Sequence, residues 1–320
     1  MTEAQFIQAY GKARKSFSKL TRATVKKIHD IYEEAAGKVA RIVQDATERE
    51  LSVLTSASWS RIKAELESAA SDIRSELRAQ LSLSVEEGAD IIAGINEKYL
   101  IDVMKYAGGK ITKSGIVSMF AGVSRSMVES MVNRVYTDGY TFSERIWNIS
   151  NGFQNSIKRV ISVGTAMGRD AIDIARDIEV YVSEGREALA KRYGDLVKDE
   201  PGWRTRIGRD VDYNALRLVR SEMYMAIQDS AVSAGRMTPS VTGYNWVRNT
   251  SEDWNCDCPD LEAGSPYQED EIPDYPHPSC LCQIVAVLME RQDFVDDLVS
   301  WANGEDVDYL DTWKAQYYDQ

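Results

Sequence analysis

Cysteine is nearly absent from this chain. There are four in 320 residues, and none lies before Cys256 or after Cys282. Histidine is scarcer still, with only His29 and His277. No proline precedes Pro201, so nothing forces a helix break in the first two hundred residues. No run of eighteen apolar residues occurs, which excludes a helical membrane span. The first thirty residues are basic but have no apolar stretch, so they do not read as a secretory leader. Catalytic signatures are missing too. Gly108-Gly109-Lys110 lacks the order of a phosphate-binding P-loop, and there is no His-Glu-x-x-His or Gly-x-Ser-x-Gly. With two histidines, and with every cysteine in one window, a Cys-His or Ser-His catalytic pair is not expected.

The chain has 43% hydrophobic residues, enough for a sizeable core. Its net charge of -12 is unevenly spread. Residues 1–30 carry Lys12, Arg14, Lys15, Lys19, Arg22, Lys26 and Lys27 against two acids, a net +5. Residues 251–320 carry eighteen acids against two basic residues, a net -16. The plain reading is solvated helix faces. The functional one is that the basic end contacts DNA or an acidic partner, while the acidic end is repelled by a phosphate backbone.

The periodicity predicts an α+β protein that is mostly helical. Phe17, Leu20, Thr24, Ile28, Tyr32, Ala35, Val39, Ile42 and Ala46 recur in steps of three and four, the seam of a long helix. Trp59, Ile62, Leu66, Ala69, Ile73 and Leu77 form a second seam suited to an antiparallel partner. The pair fits an intrachain hairpin or a coiled coil between chains. Helix breaks are expected at Gly88, Gly94 and Gly108-Gly109. Asp138-Gly139 predicts a turn, with Ser143 as the cap of the next helix. Gly168-Arg169-Asp170 opens another helix, Pro201-Gly202 ends that stretch, and a further helix runs from about Val211 to Ala234. Six of the seven prolines then lie between Pro239 and Pro278. Gly243–Arg248 and Gln283–Leu288 read as strands around this loop, and residues 291–320 as a helix with a loose acidic end. The expected division is 1–140, a long-helix region; 141–290, a domain with the cysteine loop; and 291–320, an acidic tail.

The loop carries the sharpest chemical signal. Cys256-Asp257-Cys258 and Cys280-Leu281-Cys282 are two Cys-x-Cys pairs, with His277 just before the second. Two ligand pairs at the ends of a loop suit a tetrahedral metal ion, and structural zinc takes four ligands. Cys256, Cys258, Cys280 and Cys282 make a Cys₄ set, and exchanging one of them for His277 makes Cys₃His. In an extended Cys-x-Cys both side chains share a face, so each pair can chelate. The alternatives are two disulfides, His277 bonded to a loop carbonyl, or a catalytic metal with Glu262, Glu269, Asp270 or Glu271 as a base.

Residues from about Thr141 to Val287 resemble the phage head morphogenesis family, the Mu F-like minor capsid proteins of tailed bacteriophages. Phe142-Ser-Glu-Arg-Ile-Trp147, then Gly168-Arg-Asp-Ala-Ile-Asp-Ile-Ala175, is similar to that family's sxRiw and GxsxxdiA segments. Leu218-Val-Arg-Ser-Glu222 is similar to its aRTE helix, and Trp246 to Cys282, ending His277-Pro-Ser-Cys280-Leu-Cys282, to its HPxCRC block. The first cysteine pair departs from the family's Cys-x-x-Cys, and Leu281 stands where Arg is usual. The resemblance implies a non-enzymatic minor head protein in the virion, assembled in the host cytoplasm. Its implied partners are the portal protein and, further, major capsid or scaffolding protein and packaged DNA, with no membrane. It also implies a role in procapsid assembly and in DNA retention or ejection. Other expectations are a DNA-binding module built on the basic N-terminal helix, or a metal-dependent hydrolase. Arg220 and Glu222 lie two apart on a helix and cannot face each other. They are expected to fix the β unit through its backbone.

Overall fold

The computed structural model describes residues 1–48, 56–194, 210–248, 256–277 and 280–319. With no proline and an apolar residue every three or four positions, Glu3–Glu48 forms one helix, α1, and Ser56–Val103 another, α2. On α1 the buried line runs Phe6, Tyr10, Ala13, Phe17, Thr24, Ile28, Tyr32, Ala35, Val39, Val43. Leu20 and Ile42, expected in this seam, are only half-buried, and Val43 takes the place of Ile42. A straight helix drifts against a strict three-four repeat, so the stripe slides sideways over so many turns. On α2, Ile62, Leu66, Ala69, Ile73 and Leu77 are buried as expected, and the line continues through Leu81, Val85, Ala89, Ile92 and Tyr99.

The expected helix breaks at Gly88 and Gly94 do not occur; α2 passes through both. A glycine costs a helix roughly 1 kcal/mol relative to alanine. At Gly88 the missing side chain has a use, because a Cβ there would lie 2.9 Å from the Phe17 ring.

Contacts divide the chain into two units. One holds Met1–Arg22, Ser82–Asn133 and Val219–Gln320, and the other Ala23–Leu81 and Arg134–Leu218. In the first unit the Phe6 ring meets Tyr99 edge-on at 5.2 Å, and Asn96 donates to the Tyr10 hydroxyl at 3.0 Å. In the second, Lys38 donates to Asp72 at 3.3 Å. Rising numbers on α1 meet falling numbers on α2, which is an intrachain antiparallel pairing.

The second unit adds α5 (Phe142–Ala166), α6 (Ala171–Ser183) and α7 (Gly185–Gly194). Asp138-Gly139 makes the expected turn, with Gly139 at φ 81°. The cap of α5 is Thr141 rather than Ser143. The Thr141 hydroxyl accepts from the Glu144 amide, and the Glu144 carboxylate accepts from the Thr141 amide, a reciprocal pair that Ser143 could not form. Phe153 of α5 packs edge-on against Tyr32 at 5.8 Å, and Gln154 donates to the Leu66 carbonyl at 3.1 Å. A helix opens after Gly168-Arg169-Asp170 as expected, and Asp170 is its cap. Pro201-Gly202 lies outside the described residues.

The first unit contains α3 (Lys113–Phe120), α4 (Val123–Asn133) and most of α8 (Tyr213–Arg236). After α8 come β1 (Val241–Val247), a short α9 (Cys258–Ala263) and β2 (Gln283–Leu288). The strands pair antiparallel, with Trp246 opposite Ile284 and Tyr244 opposite Ala286, and these four residues are buried. The tail is not loose. α10 (Arg291–Ala302) and α11 (Asp308–Trp313) bury Phe294, Leu298, Trp301, Leu310 and Trp313. The Trp313 indole donates to the Met237 carbonyl at 3.0 Å, and Lys110 lies 4.4 Å from the centre of the Trp301 ring. The acidic side chains face outward while the aromatic ones anchor the helices. Among the described residues no helix is long and apolar enough to cross a membrane.

Candidate metal centre

The cysteine loop leaves the sheet after β1 and returns into β2. Three contacts hold it to β1. The Tyr244 amide donates to the Tyr267 carbonyl at 2.9 Å, and the Tyr267 amide to the Tyr244 carbonyl at 2.8 Å. The Trp246 amide donates to the Ser265 hydroxyl at 2.8 Å. Loop residues poor in apolar side chains are thus fixed by backbone bonds, not by a core of their own.

At the ends of this loop the predicted ligands come together. Cys256, Cys258 and His277 place their ligand atoms within 4.8 Å of one another, as do Cys258, Cys280 and Cys282. Cys258 belongs to both groups. Its Sγ lies 3.5 Å from His277 Nε2 and 3.7 Å from Cys280 Sγ. Cys258, Cys280 and Cys282 are buried and Cys256 is half-buried. No disulfide links the four. Soft thiolates with an imidazole, gathered at this spacing, can hold a metal ion.

The two pairs reach this arrangement differently. Cys280-Leu281-Cys282 enters β2 with its cysteines buried and Leu281 half-buried, the alternation of extended backbone. Cys256-Asp257-Cys258 is not extended, contrary to expectation. Asp257 sits at φ -74° and ψ -2°, and Cys258 is the first residue of α9. A helical turn brings the thiols together here, and Pro259 is accepted because the first turn needs no N–H.

Burial pushes the Cys258 thiol up to about 12, helped by its hydrogen bonds to Cys256 and Cys282. The Cys280 thiol is raised by its bond to Cys282 and by burial. Without a cation these thiols stay protonated. A divalent ion would displace the protons and supply the positive charge the pocket lacks.

A clasp that the sequence did not announce joins this cluster to α8. The Tyr275 hydroxyl donates to the Cys280 carbonyl at 2.9 Å and shares a hydrogen bond with Ser221. Gln228 donates to the Cys282 carbonyl at 3.3 Å. Glu222 is fully buried on the same helix, whereas Arg220 is exposed, so the two do not form one structural pair. The four acids offered as a base are arranged otherwise. Glu262 pairs with Arg248 at 3.4 Å and Glu269 with Arg236 at 2.6 Å. Glu271 accepts from the Gln268 amide, and Asp270 is exposed.

A second polar centre lies in the other unit, also unannounced. Asp177 of α6 is fully buried and receives Arg169 at 2.8 and 3.1 Å, Arg192 at 2.5 Å and the Tyr193 hydroxyl at 2.8 Å. Arg169 and Asp177 flank the Gly168–Ala175 segment, but no periodicity pairs them. Of the basic N-terminal residues, Lys12, Lys15, Lys19, Arg22, Lys26 and Lys27 are exposed on α1, and Arg14 is half-buried.

No family model matches the chain, and no curated protein or solved structure matches it.

Proposed function

We propose that this chain is a minor head protein of a tailed bacteriophage, associated with the portal vertex, acting in procapsid assembly and in DNA retention or ejection. The observation that carries the reading is the clasp between α8 and the cysteine loop. It joins the Leu218–Glu222 block to the His277–Cys282 block through Ser221–Tyr275 and Gln228–Cys282. Two segments chosen for their family resemblance thus serve one structural purpose. The ion is zinc in this reading, held by Cys258, Cys280, Cys282 and either His277 or Cys256, and its role is to lock the loop. No catalysis is assigned to it, because three thiolates with one further donor fill a tetrahedral shell and leave no open position.

Trp147, 56% exposed on α5, is the residue of the first block best placed to meet a partner such as the portal, a major capsid protein or a scaffolding protein. A second reading has its own observation. Lys12, Lys15, Lys19, Arg22 and Lys26 are exposed and spaced in threes and fours, a stripe about 21 Å long on one helix face. Such a stripe suits packaged DNA.

Quantitative mass spectrometry of procapsids and virions from the source phage, scaled to the portal protein, tests the first reading. A few copies in both are expected, and absence from both would dismiss it. For the second, a low-salt gel shift is expected to vanish when Lys12, Lys15 and Lys19 are neutralised.

A further inference from the structure

In the second unit α2 and α5 run antiparallel. Gln154 donates to the Leu66 carbonyl at 3.1 Å, and Arg74 donates to the Ser150 hydroxyl at 3.1 Å, so positions rise on one helix as they fall on the other. Lys158 is one turn beyond Gln154, and this register sets it beside the start of α2. There the helices part around a cavity of about 320 Å³, lined by Trp59, Ser60, Lys63, Leu66 and Lys158. Trp59, Lys63 and Leu66 follow in steps of four and three. They therefore share one face of α2, over about 10 Å.

The lining combines an aromatic wall with two cations and holds no carboxylate. Leu66 is buried and closes the floor, while Trp59 is half-buried and keeps part of its ring open to solvent. Lys63 meets Glu67 at 3.9 Å, with the two side chains 68% and 60% exposed. A surface pair of that kind is weak and yields to a stronger anion. Lys158 is half-buried and, among the described residues, has no acidic partner. Partial burial strips water from its ammonium group, which favours an incoming negative charge.

We propose that this cavity binds a nucleotide, with the base stacked on Trp59 and the phosphate between Lys63 and Lys158. The indole accepts any base, because every base has a π-face. A phosphate offers enough charge and enough oxygens for two ammonium groups. A purely apolar ligand would cover Lys158 without pairing it, and a bare anion would leave the indole uncovered. A free nucleoside phosphate and the phosphorylated end of a single strand present the same groups. Bases inside a duplex do not, because their faces are already stacked.

The test is isothermal titration calorimetry of the full chain at low salt. Deoxyadenosine monophosphate is expected to bind saturably, and at least about tenfold more tightly than deoxyadenosine or inorganic phosphate. Trp59→Leu keeps an apolar wall but removes the π-face, and should weaken binding about tenfold, whereas Trp59→Phe should retain most of it. Lys158→Gln should also weaken binding about tenfold and flatten its salt dependence. A 5′-phosphorylated hexanucleotide of deoxyadenosine separates the two sources. Tighter binding than the monomer, lost in Trp59→Leu, identifies a strand end; a strand that does not respond to Trp59→Leu leaves the free nucleotide as the ligand. Should Trp59→Leu fail to fold, Lys158→Gln and Trp59→Phe decide. No saturation with deoxyadenosine monophosphate at millimolar concentration would overturn the proposal. So would equal affinity for inorganic phosphate, because charge alone would then account for binding. Binding unchanged by Lys158→Gln would overturn it too, because the nucleotide would then sit elsewhere. Copy number in virions does not depend on any of these outcomes, so failure here is distinct from failure of the head-protein reading.

Discussion

Asp177 in one unit and Cys280 in the other are both deeply buried, yet they stand in opposite chemical surroundings. Asp177 meets two guanidinium groups and a phenol, so its charge is balanced by the chain itself. Cys280 meets other thiols, and its neighbours raise its pKa instead of stabilising the thiolate. A buried charge needs a partner in either case. The first centre carries its partner in the sequence, whereas the second could take one from solution as a metal ion. The second unit should therefore hold its shape whatever metal is present, while the cysteine loop should not.

The sharpest break of that contrast is metal removal. A strong zinc chelator, or Cys280→Ser, is expected to strip hydrogen-exchange protection from β1, β2 and residues 256–277 while sparing α5 and α6. Ligation and folding are one free energy in such loops, and metal binding contributes on the order of 10 kcal/mol in small zinc domains. The local loss should exceed about 3 kcal/mol. Full protection in metal-free protein would show that the loop closes without an ion.

The converse break is Asp177→Ala. It leaves Arg169 and Arg192 facing each other without the carboxylate, and should cost about 3–5 kcal/mol. Chemical denaturation monitored by exchange in α6 would measure it. The β hairpin should keep its protection, because the thiol cluster belongs to the other unit. A loss under about 1 kcal/mol would mean that the arginines find water instead.

Glu222→Ala sharpens the comparison within the cysteine unit. The side chain is fully buried on α8, one position from the Ser221 clasp. Its removal should cost about 2 kcal/mol, well beyond an ordinary surface change, whereas Arg220→Ala should fall within roughly 0.5 kcal/mol. Equal melting midpoints for the two variants would count against the burial argument.

Much of this was readable in the sequence, for a local reason. The two helical seams rest on a period that each helix enforces alone, and β2 covers the same Gln283–Leu288 segment that its run of β-branched and apolar residues marks. The Cys/His cluster that could hold a metal ion was legible because cysteine is so rare elsewhere in the chain. The Thr141 cap was legible too, since Glu144 stands at the third position after it; Ser143 only looked as good by residue type. What stayed hidden depends on distant residues. Gly88 is accepted inside α2 because of Phe17 on α1, and Asp177 is satisfied by arginines on either side of its helix. The tail looked loose by charge, but its burial depends on Trp301 and Trp313 finding their places against other elements. Which donors would serve an ion is hidden for the same reason, since Cys258 reaches the cluster from a helical turn.

The smallest effect tests self-balanced charge in the second unit once more. His29 Nδ1 lies 2.9 Å from Asp212 Oδ2, and Nε2 lies 3.4 Å from Glu33 Oε1. Burial pulls the imidazole pKa down, but the hydrogen bond and charge of Asp212, with the charges of Glu33 and Asp30, outweigh it and leave the value raised. A raised folded pKa means that the fold binds the proton more tightly than the unfolded chain does. The resulting stability is fully present below the unfolded value of 6.5 and is lost as pH rises through the folded value. Because the ring is about one-third exposed, the effect should stay below about 1 kcal/mol. Melting midpoints of the intact protein and of His29→Gln, compared from roughly pH 5.5 to 8.5, should differ at the acid end and converge at the alkaline end. A gap constant across that range would mean that His29 acts through packing alone, with no contribution from its charge.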